Sequence, residues 1–303
     1  MTPMYHWASR RIEAHVTICV LALLIERIAE LACGEFPMTS QEPQSLFFPQ
    51  GFIINRELKV QSLYTEEILE HARRSWYGNG TALHPSLGET VPKYTGYDPD
   101  GRYNWLKAPR YNGEPMEVGP LVRMLVAYGS DDTTDNCVAL AQCAINSFLI
   151  CTGLPFSAMF SVLGRVVARA QETQIIAKAM DDWLDELARG IGQSVYLRTV
   201  TPVRATGMGL NEAPRGALGH WIDIQNQKIA YYQMVVPSTW NFGPRCDQGK
   251  SGPIEKALVD VQVYDMEKHL EILRTVHSLD PCIACEVHVI DPESDRAYEI
   301  KVM

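Results

Sequence analysis

The hydrophobic period changes once along the second half of this 303-residue chain, and that change restricts the folds open to it. Between Pro115 and Arg189 apolar residues recur at three-and-four spacing, the signature of helices packed on one face. After Pro202 the apolar residues alternate, as they do in strands. Helices and strands kept apart in this way predict an α+β architecture, mainly helical.

The helical part divides at its punctuation. The pattern predicts helices over Leu121 to Tyr128, Asp135 to Cys151 and Ser157 to Arg189, the last with a stripe through Ile176, Met180, Trp183 and Leu187. Gly153 and Pro155 mark its start and Gly190 its end. Two strands follow, at Gly219 to Ile224 and Ile229 to Val236, around a polar Gln225–Lys228 turn. Gly243 to Gly252 reads as loop, Val236 to Asn241 as a strand end with turn chemistry, and Asp265 to Ser278 as a last helix closed by Asp280-Pro281.

Upstream the chain is different. From Met38 to about Gly113 it is rich in Pro, Gly, Tyr and Asn. Short strands are expected there only at Phe52 to Ile54, and a helix at Thr65 to Arg74. A long ordered loop of this kind carries function or a partner surface. Ahead of it, Ile12, Val16, Cys19, Val20, Leu23, Leu24 and Ile28 predict a helix over residues 10–33.

Charge and apolar runs exclude some functions. A net charge of -9 with no basic stripe speaks against nucleic acid as the main partner. The longest apolar run, Val16 to Ile25, is about half of the roughly 20 residues a membrane span needs. No transmembrane segment or signal peptide is expected, and the compartment stays open: cytoplasmic, or membrane-associated or periplasmic through a partner subunit. Of eight cysteines, Cys137, Cys143 and Cys151 lie in apolar helical surroundings and read as reduced core thiols.

Three segments carry chemistry. In Asp280-Pro281-Cys282-Ile283-Ala284-Cys285-Glu286-Val287-His288, two thiols separated by two residues can chelate one metal, and the imidazole can reach the same or an adjacent ion. Alone this is half a tetrahedral site; metal is the leading reading, with a redox pair or coincidence as the alternatives. Arg215 sits between Pro214 and Gly216 just before a strand. It can meet an anionic ligand or a structural carboxylate there. Ser238 lies in the third segment, Val236-Pro237-Ser238-Thr239-Trp240-Asn241.

In this order and spacing the segments resemble the C-terminal half of the large subunit of nickel–iron hydrogenases. Trp105 to Tyr111 and Met116 to Leu121 add to the resemblance, which runs from about Gln44 to Met303. It implies a truncated large-subunit fold, with long ordered loops, a core of long helices and a small β-hairpin region near the metal motif. It further implies reversible heterolytic cleavage of dihydrogen, with electrons leaving through an iron–sulfur small subunit. Cys282 and Cys285 match two of four nickel thiolates, and Cys285 also matches the bridge to an iron carrying cyanide and carbon monoxide. Arg215 matches a cation over the open face of that centre, able to polarise dihydrogen or help take its proton. Ser238 matches the hydroxyl on an iron-bound cyanide, and Pro214 lines the same pocket. His288 and the Met234 carbonyl match contacts of a separate magnesium (or iron) ion. Residues 289–303 match an extension that a maturation endopeptidase removes; the alternative is an ordinary edge strand at Ala297 to Val302.

Two departures stand against the pattern. The family's Arg-x-Cys-Gly-x-Cys motif, source of the other two thiolates, is missing, so little activity is expected from this chain alone. Cys246 stands where the family has a carboxylate, with Asp247 displaced by one. Residues 5–34 resemble the C-terminal part of insertion-sequence transposases of the DDE type, without an acidic triad. The expected organisation is a foreign helical segment (1–37), a hydrogenase-like region (38–288) and the extension (289–303). A competing expectation is a non-catalytic protein that binds zinc through Cys282, Cys285, His288 and Cys246.

Overall fold

A computed structural model describes residues 48–54, 58–78, 80–132, 136–192, 202–265, 269–282, 285–291 and 296–302, the last two runs by backbone alone. The helix expected over 10–33 lies outside the described residues.

Three helices build the main core. α1 (Pro120–Tyr128), α2 (Asn136–Thr152) and α3 (Val162–Arg189) pack through Leu121, Met124, Leu125, Ala141, Ile145, Ala168 and Ile176. The expected helix from Ser157 is shorter at its start: a 3-10 turn at Phe156–Met159 comes first, and Ser161 caps α3 by accepting from the Gly164 N–H. A side chain at Gly164 would run into the Met159 carbonyl, so the turn and the helix meet only at a glycine. The stripe leaves the core after Trp183, which still packs against it, and Leu187 is 66% exposed. Cys143 and Cys151 are exposed, against expectation, and only Cys137 of the three is in the core. Because α2 is apolar nearly all round, its sequence period does not mark the buried face.

The expected helix at Thr65 to Arg74 is not formed. A single 3-10 turn, Thr65–Glu67, leads into β1 (Ile68–His71), antiparallel to β2 (Ala108–Tyr111). The strand buries Ile68, Glu70 and His71 together and brings Glu70 to Lys107, just ahead of β2, and His71 to Asp247 in a later loop, which outweighs the helical propensity of the segment. Phe52 to Ile54 makes one bridge, Phe52 to Gln61, in place of a strand. The loop from Ala72 to Lys107 is ordered by its own hydrogen bonds, among them Trp76 Nε1 to the Gly96 carbonyl at 2.8 Å.

A three-stranded meander follows: β3 (Arg204–Ala213), β4 (Gly216–Gln225) and β5 (Lys228–Val235). The polar turn is confirmed, with Asn226 and Gln227 both at positive φ as a tight hairpin turn demands. β3 was not expected, because Gly207 and Gly209 remove its alternation. Val236 to Asn241 forms a short helix, α4 (Pro237–Phe242), instead of a turn, with Pro237 at a position that needs no N–H. α5 (Pro253–Leu258) and α6 (Leu270–Ser278) complete the helices; α6 begins after His269, later than expected. β6 (Cys285–Asp291) pairs with β7 (Arg296–Val302). No described helix is long and apolar enough to cross a membrane.

Tyr103 joins the loop to α5. Its hydroxyl donates to Glu255 at 2.6 Å and accepts from the Arg245 N–H at 2.9 Å. Burial, with the Glu255 carboxylate beside it, pushes the phenol up to about 12. The unfolded phenol titrates near 10, so this contribution to stability is present below about pH 10 and disappears as pH rises through 12. Urea unfolding of the wild type and Tyr103→Phe is therefore expected to differ at pH 9 and to converge by pH 12. A difference independent of pH would contradict the assignment.

Candidate functional site

The site is assembled at the ends of elements. Pro214 and Arg215 form the two-residue turn between β3 and β4, with Ala213 paired to Gly216. Gly216 has φ +133°, and a Cβ there would lie 2.6 Å from Val118 Cγ2 and 2.7 Å from the Gly119 nitrogen. The turn rests on the 118–119 backbone. Asn241, 1% exposed, grips that backbone from the other side, accepting from Val118 N–H at 3.0 Å and donating to its carbonyl at 2.9 Å.

Asn241 is one end of α4, and Ser238 is the other. The buried Ser238 hydroxyl accepts from the Cys282 N–H at 3.1 Å. One short helix thus braces both the Arg215 turn and the first cysteine of the motif. Arg215 Nε lies 3.5 Å from Asp280 Oδ2, two residues before Cys282, with both side chains 38% exposed. So Arg215, Pro214, Ser238 and Cys282 are brought to one place. Cys282 is exposed there. Cys285 and His288 lie on β6 opposite Val302 and Glu299, and their side chains are outside the described residues.

The remaining candidates sit apart from that turn. Met234 is on β5 opposite His220, half exposed. Cys246 is buried in a turn closed by its N–H on the Lys250 carbonyl at 3.0 Å. Arg110, fully buried, anchors this loop by donating to the Pro244 and Lys250 carbonyls. Asp247, displaced by one from the family's carboxylate position, lies 3.3 Å from His71 Nδ1; the carboxylate beside Arg215 is Asp280.

Sequence reasoning missed three contributors. Asp280 stood in the quoted motif but was read only as a helix stop. Arg123 follows Met116 to Leu121 by two residues, where nothing but its charge on an apolar helix signals it. The third is a buried cluster next to Met234: Gln233 donates to Glu70 at 2.8 Å, Lys107 lies 3.4 Å from the same oxygen, and Thr90 donates to Gln233 at 3.0 Å. Burial pushes the Glu70 carboxyl up, with Lys107 and Gln233 pulling it back. A cavity of about 390 Å³, lined mainly by apolar side chains such as Phe52, Ile68 and Leu210, shares Val118, Gly119 and Glu212 with the platform under Arg215.

Among the described residues the donor set does not complete a four-thiolate centre. Beside Cys282 and Cys285, the described cysteines lie in the helical core, on the exposed side of α2, or closed in the 246–250 turn. Among the described residues no three of His, Cys, Asp and Glu come together as a metal site.

A family model described as nickel-dependent hydrogenase matches residues 23–288. The uptake hydrogenase large subunit of Bradyrhizobium diazoefficiens is 38% identical over 302 residues, covering 90% of this chain and 50% of that protein. The hydrogenase-2 large chain of Escherichia coli is 38% identical over 288 residues, with the same coverage of 90% and 50%. The Ni-Fe-Se hydrogenase from D. vulgaris Hildenborough in the reduced state superposes with a TM-score of 0.69 at 30% identity, over 87% of this chain and 55% of that one. The chain spans about half the length of the curated relatives it matches.

Proposed function

The chain belongs to the nickel-dependent hydrogenase family, and from that premise we propose that it supplies the C-terminal half of a hydrogenase large-subunit active site. Cys282 and Cys285 would hold nickel as two of its four thiolates, Cys285 also serving an iron with cyanide and carbon monoxide ligands, and that centre would supply the site that accepts hydride. Arg215 is the cation beside the centre, Pro214 lines its pocket, and Ser238 is the hydroxyl toward the iron's ligands. The observation that carries the reading is the tie through α4: Ser238 holds Cys282 and Asn241 holds the platform of Arg215. The arginine can polarise dihydrogen or hold its proton only if it stands near the thiolates, and α4, which touches both the backbone under its turn and the Cys282 N–H, supports that placement. No reaction step through a nickel–iron centre follows for this chain alone, because it brings half the donors.

His288 and the Met234 carbonyl are proposed contacts of the separate magnesium or iron ion. The Glu70–Gln233 pair beside Met234 supplies hydrogen-bonding groups near that strand. Cys246 and Asp247 are proposed as neighbours of the site, Asp247 oriented by His71. Residues 289–303 are proposed as the extension a maturation endopeptidase removes. The end of the family match at residue 288 supports this, while β7 over Arg296–Val302 is the strand that the alternative, an ordinary edge strand at Ala297 to Val302, expects. The proposed electron acceptor is an iron–sulfur small subunit. An insertion-sequence origin is proposed for the segment 1–37, although the family match begins at residue 23 and takes in its second half.

Metal analysis and viologen-linked hydrogen uptake by the purified chain test this reading. The expected result is no uptake and no nickel beyond background. One equivalent of zinc bound tightly through Cys282, Cys285, His288 and Cys246 would favour a non-catalytic zinc protein and overturn it.

A further inference from the structure

Arg123 projects from α1, far in sequence from the motif it serves. It is 7% exposed, and its guanidinium spends all five N–H donors. Nε donates to Glu172 Oε1 at 2.5 Å and Nη2 to Glu172 Oε2 at 2.9 Å, a bidentate pair with α3. Nη1 donates to Glu212 Oε2 at 2.7 Å. The last two donors go to backbone: Nη1 to the Ala213 carbonyl at 3.1 Å and Nη2 to the Pro214 carbonyl at 3.0 Å. Those carbonyls belong to the two residues immediately before Arg215. Burial alone would pull the Arg123 guanidinium down, but Glu172 and Glu212 beside it push it above its usual range.

We propose that Arg123 is a positioning residue: it clamps the Ala213–Pro214 backbone to the helical core and so sets where Arg215 stands. The proposal rests on the role given above to Arg215 and names the group that holds it. From the opposite side the turn is stopped by the backbone at Gly119, whose Cβ position lies 3.1 Å from the Arg215 carbonyl. A planar, forked cation suits this task because two carbonyls and two carboxylates converge on it from three elements. A lysine ammonium has three donors and cannot reach all of them.

The test is hydrogen exchange by NMR at the Arg215 Nε–H and the backbone amides of Arg215 and Gly216, compared with the amides of α2. In Arg123→Lys the exchange at residue 215 is expected to speed about tenfold or more while α2 is unchanged. Glu212→Gln, which keeps shape and removes one charged acceptor, is expected to act in the same direction by less, and serves if Arg123→Lys does not fold. A purely structural role would lower the melting temperature and leave the Arg215 Nε–H exchanging as in the wild type, and that result would overturn the proposal. The measurement needs neither metal nor turnover, so it can fail while the hydrogenase reading stands, and the reverse.

Discussion

Arg123→Met is expected to lower the stability of the folded chain by about 3–5 kcal/mol, because it leaves two carboxylates facing each other without their cation. The methionine fills much the same volume, so the loss is electrostatic and not a cavity. Glu172, buried on α3, loses a bidentate partner, Glu212 loses its ion pair, and the Ala213 and Pro214 carbonyls lose their donors. In a chain of this size that corresponds to a fall of roughly 5–8 °C in melting temperature. The cause can be separated from simple misfit: adding Glu172→Gln and Glu212→Gln to Arg123→Met removes the stranded charge, and more than half the lost stability should return. If the triple variant is no more stable than the single one, the network is not held by charge.

Gly216→Ala is the second large effect, and it is local. The residue has φ +133°, a region essentially reserved for glycine, and the new Cβ would collide with Val118 Cγ2 and with the backbone at Val118 and Gly119. Backbone cannot move aside cheaply, so a cost of about 2–4 kcal/mol is expected, measured by urea unfolding. The displaced element is the turn that carries Arg215, so the Arg215–Asp280 contact should open as well. A stable variant with the Arg215 Nε–H still protected would show that the turn does not need this close approach.

Much of the fold was legible where periodicity and punctuation agreed. Leu121 to Tyr128 and the core part of α3 follow from apolar spacing, and the β4–β5 hairpin follows from alternation around Gln225–Lys228. The misses have physical reasons. β1 was hidden because Thr65 to Arg74 is made of good helix formers, and only its pairing with Ala108–Tyr111, about forty residues on, makes it a strand. β3 was hidden by Gly207 and Gly209. α4 was hidden by its length, since six residues opened by proline look like a turn. The site was partly legible. The sequence marked Pro214, Arg215, Ser238 and Cys282, and the structure links Arg215 to Asp280 and Ser238 to Cys282. What could not be seen were the residues that hold them: Arg123 and Asn241 act on backbone groups, which leaves no spacing to find, and Asp280 read only as a helix stop until the fold set it beside Arg215.

The central claim is that Cys282 and Cys285 are half of a nickel site whose other thiolates this chain does not bring in an Arg-x-Cys-Gly-x-Cys motif. The most direct measurement is hydrogen uptake after co-producing the chain with a polypeptide bearing that motif, in a host able to mature nickel–iron centres. The account predicts no uptake from either polypeptide alone, uptake and nickel retention from the pair, and loss of both on Cys282→Ser or Cys285→Ser. Uptake by this chain alone, or by the pair with both cysteines replaced, would contradict it.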